Sequence, residues 1–339
     1  MTPAIGHCAI VPPYVLDRLA EQGHGAARRS LVLDAVHRQA RLLPPEPREP
    51  APRLSRTVCD AEHDERLPGR TVRTEGGAGD ADASVDRAYD GLGATFALYD
   101  EVFGRHSIDD AYLPLDATVH YGRDYDNAFW DGNRMVFGDG DGEIFVDFTS
   151  CLDVIGHELA HGVTQYTAGL EYINQSGALN ESVSDVFGSL VRQYALGQTA
   201  EEADWLIGAG LLAPGVRGVA LRSMKAPGTA YDDPRLGKDP QPGHFDGYVR
   251  TRRDNGGVHI NSGIPNHAFQ LLATALGGHA WERAGRIWYD TLTSGDLAPN
   301  TGFAAFARAT VAAARTRFGE GEVPDAVTEA WSRVGIRST

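Results

Sequence analysis

Cysteine is scarce. Cys8, Cys59 and Cys151 are the three in 339 residues, and their spacing matches neither a zinc ribbon nor a disulfide framework, so they read as buried or unpaired thiols. Long apolar runs are missing, and no stretch is long enough to span a bilayer. Basic residues are the rarer charge, with 31 Lys and Arg against 46 Asp and Glu. The formal net charge of −15 argues against nucleic acid or an anionic membrane as partner, since both require a basic surface. Residues 1–10 lack a basic leading region, and Val11-Pro12-Pro13 interrupts their apolar stretch. A secretory signal is therefore not expected, which suggests cytoplasmic synthesis with release by a non-standard route left open. No GxSxG is present, which disfavours a serine hydrolase. The hydrophobic content of 42% is that of a globular chain, and the length suffices for two domains.

The pattern along the chain suggests three parts. Helices are expected over residues 14–22 and 26–43, separated by Gly23-His24-Gly25. Residues 44–52 hold five prolines, which fix φ and remove donors, so they read as an exposed linker open to nicking. A further helix is expected over residues 83–103. Val119-His120-Tyr121, Met135-Val136-Phe137 and Ile144-Phe145-Val146 read as short strands between turns. After Leu152 the chain is mostly helical. The middle is thus β-rich and the C-terminal half α-rich.

His157-Glu158-Leu159-Ala160-His161 is an HExxH motif. Residues four apart share a helical face, so His157 and His161 can hold one Zn²⁺ while Glu158 reaches a water beside it. A catalytic zinc needs a third protein ligand. Glu181 supplies a candidate twenty residues past His161, with Asp185 on the same face able to accept the second N–H of a zinc histidine. Asn180 and Ser184 beside it are candidates for hydrogen-bonded support. Further on, Asp254 lies five residues before His259, and a carboxylate there would keep the imidazole protonated and able to donate.

Together with Asn127-Ala128-Phe129-Trp130, Gly138 to Gly142, Tyr166-Thr167-Ala168-Gly169-Leu170 and Leu221-Arg222-Ser223-Met224, these segments resemble the thermolysin-like metallopeptidase family over residues 67–339. The resemblance implies an α+β fold of two lobes, β-rich and then helical, joined by the zinc-binding helix. It implies a neutral endopeptidase with one catalytic Zn²⁺ on His157, His161 and Glu181, and protein and peptide substrates. Glu158 would be the base for the attacking water, Tyr172 and His259 would stabilise the oxyanion, Asp254 would orient His259, and Asp185 would back His157. Asn127 and Ala128 would pair with substrate backbone. Arg222 would bind the carbonyl after the cut, and Phe145, Phe148, Val154 and Leu221 would line a pocket for a bulky apolar residue there. Phe148 replaces a smaller aliphatic, making the pocket shallower.

The N-terminal His7-Cys8-Ala9-Ile10-Val11-Pro12-Pro13-Tyr14-Val15-Leu16 resembles the short pro-segment of the protealysin-like branch, in which Pro12, Pro13, Tyr14 and Leu16 carry the match. The parts expected are therefore an inhibitory pro-segment (1–50), a β-rich lobe with the HExxH helix (51–165) and a helical lobe (166–339). Cys8 or His7 could cap the zinc in the precursor. The family's double-calcium site is expected to be lost. Asp153 matches one of its carboxylates, but Arg192, Asp204, Leu206 and Ala209 stand at the others, and Arg192 could instead pair with Asp153. Counted from Asp139, an EF-hand would need Gly and Glu where Ile144 and Ser150 stand, so residues 138–142 read as tight turns. Two alternatives remain. A homologue that binds without cleaving is disfavoured by the filled catalytic positions, and an aminopeptidase by the absence of an amine-anchoring motif. A monomer is the default.

Overall fold

The computed structural model describes residues 9–40 and 48–338. The proposed zinc caps His7 and Cys8 lie outside the described residues, as does the proline-rich stretch 44–47.

The chain opens with helix α1 (Pro13–Glu21). Pro12 is its extended cap and Pro13 opens the first turn, where a fixed φ is preorganised and a missing N–H costs nothing. Val15, Leu16 and Leu19 form its buried face. Gly23, at φ +97°, turns the chain into α2 (Gly25–Ala40).

Next come β1 (Arg56–Asp60) and β2 (Arg70–Thr74), an antiparallel pair. Helix α3 (Ala83–Ala97) follows, capped by the Asp82 carboxylate accepting from the Ser84 N–H, and it runs into a π-helical turn over Leu98–Val102. β3 (Leu115–Val119), β4 (Ala128–Trp130) and β5 (Arg134–Phe137) complete a sheet of order β2-β1-β3-β5-β4. β1–β3 and β3–β5 are parallel, whereas β4 runs antiparallel to β5 at the edge. That edge carries the substrate-side residues discussed below.

Two expectations need correction. Ile144–Phe145–Val146 is not a strand. Asp141 Oδ1 accepts from the amides of Glu143 and Ile144, which curls the chain, and only an isolated bridge from Phe145 to Leu212 remains. Of Val119–His120–Tyr121 only Val119 is in a strand, as the last residue of β3, and β1 and β2 were not singled out by the sequence reading.

The helical half begins with α4 (Leu152–Gln165) and α5 (Asn174–Leu196), which pack on each other. Glycine makes the approach possible, because a Cβ on Gly188 would stand 2.4 Å from the Asp153 carbonyl oxygen and 2.9 Å from the His157 nitrogen. A two-stranded ribbon joins β6 (Leu206–Ile207) to β7 (Arg222–Ser223). Then follow α6 (Asp254–Asn261), α7 (Gly263–Leu276), α8 (Ala284–Thr293), α9 (Phe303–Phe318) and α10 (Glu322–Arg333). Trp288 and Trp331 stack at 5.9 Å in their shared core. No helix among the described residues is long and apolar enough to cross a membrane.

Candidate active site

The close packing of α4 on α5 brings Glu181 to the two histidines of the HExxH turn. His157 Nε2 and His161 Nε2 stand 3.0 Å apart, and the Glu181 carboxylate lies 3.7 and 3.6 Å from them. All three side chains are buried. The other ring nitrogens are tied from behind. His157 Nδ1 is 2.8 Å from Asp185 Oδ1, and His161 Nδ1 is 2.7 Å from Asn180 Oδ1 and 3.0 Å from Ser184 Oγ. Nδ1–H donation to these oxygens leaves the Nε2 lone pairs facing each other beside a carboxylate. Such an arrangement is repulsive unless a cation lies between, so the donor set fits zinc.

Asp185 does more than orient His157. Arg222 donates to both its oxygens at 2.8 Å, and Asn266 Nδ2 donates at the same distance. Burial would raise the Asp185 pKa, but the Arg222 and His157 charges hold it well below the usual carboxylate range. Glu158 is the opposite case. Burial and the neighbouring Glu181 charge push it well above the ordinary value, which suits a group that takes up a proton. Its Oε2 accepts the Trp130 N–H at 3.1 Å, and its Oε1 has no partner among the described residues.

The far wall is His259. Its Nδ1 is 2.6 Å from Asp254 Oδ1, and its backbone N–H donates to Asp254 Oδ2. This geometry comes from an unusual backbone. Asp254, Asn255, Gly256 and Gly257 all have positive φ before α6 becomes regular, and the two non-glycine residues adopt a conformation costly for L side chains. Burial alone would lower the His259 pKa, yet Asp254 and Glu181 lift it to about 9, so the ring is a cationic donor at neutral pH. Tyr172 OH lies 3.2 Å from His259 Nε2 and donates to Glu181. Phe145, Phe148, Val154 and Leu221 are buried nearby, the first two with ring centres 5.9 Å apart.

Asn127, Ala128 and Arg222, expected from the sequence to meet substrate, contact the N-terminal segment. The Ile10 N–H donates to the Ala128 carbonyl at 3.1 Å, the Val11 N–H donates to Asn127 Oδ1 at 2.9 Å, and Asn127 Nδ2 returns to the Val11 carbonyl at 3.3 Å. Arg222 Nη1 donates to the Ile10 carbonyl at 3.1 Å. The N-terminal segment thus lies along the edge strand β4, held by one backbone bond and the Asn127 side chain. Its α2 adds Asp34, which accepts from Tyr125 OH at 2.5 Å and Asn127 Nδ2 at 3.0 Å, and Ser30, which accepts the Asp126 N–H. Burial pushes the Asp34 carboxyl up to about 6 and the His37 imidazole down to about 4. Sequence reasoning missed Ser30, Asp34 and Asn266. Their partners are 81 to 96 residues away, so no local pattern points to them.

Comparison with known proteins is consistent with this geometry. Residues 54–165 match the model of the thermolysin metallopeptidase catalytic domain, and residues 168–336 match that of its alpha-helical domain. An extracellular metalloprotease of Pectobacterium carotovorum is 55% identical over 97% of this chain and 96% of its own length. Protease PrtS of a Photorhabdus strain is 50% identical over 97% and 92%. The precursor of protealysin, a metalloproteinase from Serratia proteamaculans, superposes with a TM-score of 0.89 at 54% identity, covering 97% of this chain and 99% of that one. With both lobes matched and half of all positions shared along nearly the whole chain, the protein belongs to the thermolysin family of metallopeptidases and is a peptide-bond hydrolase.

Proposed function

We propose that the protein is a zinc-dependent neutral endopeptidase made as an autoinhibited precursor, and that it cuts on the amino side of bulky hydrophobic residues. The observation that carries this reading is the seating of Ile10 and Val11. Their backbones use Ala128, Asn127 and Arg222 as an extended peptide substrate would. Ile10 is fully buried and its carbonyl meets Arg222, so it stands where the residue after the cut would stand.

His157, His161 and Glu181 would hold the zinc, which when bound supplies positive charge that acidifies water towards a pKa of ~7 and polarises a carbonyl. Glu158 takes the proton from the attacking water as the C–O bond forms, and returns it to the amine nitrogen as the C–N bond then breaks and the carbonyl is restored. His259, kept cationic by Asp254, and Tyr172 donate to the carbonyl oxygen as it becomes negative. Residues 1–50 serve as the inhibitor, 51–165 and 166–339 as the two lobes, and a cut within residues 44–52 starts release.

The test is cleavage of a quenched peptide with Phe or Leu after the scissile bond. It compares the intact chain, the chain cut within residues 44–52, and Glu158→Ala, each with and without a zinc chelator. Activity is expected only in the cut, zinc-loaded parent. A cut protein that binds zinc and cleaves nothing would overturn the assignment.

A further inference from the structure

Among the described residues, one other trio of His, Cys, Asp or Glu side chains has ligand-type atoms all within 4.8 Å of one another: His24, Asp141 and Glu143. It lies apart from the catalytic group, at the joint between the N-terminal segment and the β-rich lobe. We infer that these three side chains form a second divalent-cation site, of zinc class, that clamps the turn between α1 and α2 to the loop after β5.

Both halves of the site are fixed by backbone bonds. The His24 N–H donates to the Leu19 carbonyl and its own carbonyl accepts from Arg28, which sets the imidazole at the outer edge of the turn. Asp141 Oδ1 accepts from the amides of Glu143 and Ile144 at 2.9 and 2.7 Å, which holds the carboxylate in place. The Glu143 side chain is exposed and free to swing. His24 makes no side-chain hydrogen bond or ion pair among the described residues, although two carboxylates flank it within 4.8 Å. That spacing is too long for a hydrogen bond. It is a small rotamer adjustment from the ~3.3–4.2 Å that separates ligands sharing one zinc at ~2.0–2.1 Å.

A second observation is an unsatisfied buried oxygen beside the same loop. Asp126 lies beneath the same loop and accepts the Asp141 N–H at 2.9 Å, yet its buried Oδ2 has no partner among the described residues. Three acids, Asp124, Asp141 and Glu143, line one cavity, and the Arg29 beside them is already paired with Asp124 at 2.6 Å. A cavity of about 420 Å³ opens at the trio and has room for waters to complete a coordination shell. One imidazole with two carboxylates suits zinc or another first-row divalent ion, whereas calcium prefers an all-oxygen shell. A cation held across this joint binds only while the segment is docked, so by linkage it stabilises the docked form. That consequence rests on the reading of the segment as removable; the binding itself does not.

The test uses the full chain carrying Glu158→Ala, so that it stays uncut, in equilibrium dialysis against Zn²⁺ with bound metal counted per chain. It is compared with the same chain carrying His24→Ala or, separately, Glu143→Gln, an exposed change that leaves the fold intact. The parent is expected to bind one more zinc than either variant. Equal counts in all three would overturn the site, as would retention of the extra zinc in Glu143→Gln. The tight catalytic equivalent on His157, His161 and Glu181 should persist in every arm, and its absence would sink the peptidase reading without bearing on His24.

Discussion

The catalytic group and the surface beneath α2 both bury ionisable side chains, and they balance them in opposite ways. In the catalytic group, Glu158 apart, the charges have fixed partners: Asp185 serves His157, Arg222 and Asn266 at once, and Asp254 serves His259. Under α2, Asp34 accepts hydrogen bonds from the neutral Tyr125 and Asn127, with only the more distant Arg38 charge to favour ionisation. His37 is depressed by burial. A buried charge with a fixed counter-charge locks a structure, and removing one partner is strongly destabilising. A buried group without one makes a joint that separates at modest cost and responds to pH. The first arrangement suits a lasting site, and the second suits a segment that is shed, as proposed above for residues 1–50.

Asp185 offers the hardest test of that contrast. Asp185→Ala leaves the buried Arg222 without its carboxylate and frees His157 Nδ1. A loss of about 3–5 kcal/mol in folding stability is expected, with zinc affinity lowered ~10–100-fold. Urea unfolding of the metal-free protein and competition against a chelator read the two effects separately. An unchanged unfolding midpoint would mean that Arg222 is satisfied elsewhere, and the lock would lose its basis.

How much of this was visible in the sequence follows from distance along the chain. His157, Glu158 and His161 sit on one helical turn, and Asp185 follows Glu181 by one more, so helical periodicity alone places them. Asp254 and His259 are five apart, but the left-handed run over Asp254–Gly257 that makes them meet has only its glycines as a local sign. β1 and β2 went unread because short Arg- and Thr-containing stretches acquire strand character only through β3, whose register pairs Val58 with Ala117. Asp34 and His24 gave no signal at all, because each takes its meaning from residues about a hundred positions away. The helix periodicity could place Asp34 on a helix and His24 in the turn between two helices, but not what they would face.

The joint under α2 makes a subtler prediction, because its two groups titrate in opposition. Docked Asp34 has a pKa of about 6 against 3.8 for the free group, so docking is strongest when it is protonated, and that advantage disappears as pH rises through 6. Docked His37 lies at about 4 against 6.5, so docking is favoured while the free ring is neutral, and this is lost as pH falls through 4. Between pH ~4 and ~6.5 the two offset each other, each by at most about 3 kcal/mol, less for the partly exposed His37. Hydrogen exchange of the α2 amides in the Glu158→Ala background is expected to change little across that window. With Asp34→Asn, protection should fall on acidification; with His37→Asn it should rise. Should both variants track the parent, the docking joint owes nothing to these two groups.

The far end of α4 extends the comparison to a third arrangement and carries the smallest expected effect. Arg192 Nη1 lies 3.8 Å from Asp153 Oδ2 and donates to both oxygens of Asp204 at 3.0 and 2.9 Å. The Gly208 and Val154 amides take the remaining Asp153 positions, and the Leu206 amide takes Asp204 Oδ1. Calcium needs six to eight oxygen ligands, and here a guanidinium and backbone amides already occupy the carboxylates a metal would use. EGTA is therefore expected to leave the melting temperature unchanged, and a fall of several degrees would overturn that expectation. Arg192→Gln is the sharper variant. It removes the internal cation while keeping the acids, and because burial already pushes Asp153 up to about 6, losing Arg192 should raise it further. The variant should then lose stability mainly above pH 6, where Asp153 must ionise without a counter-charge. If added calcium restores that loss in the variant but does nothing for the parent, the arginine stands in for an ion at this position.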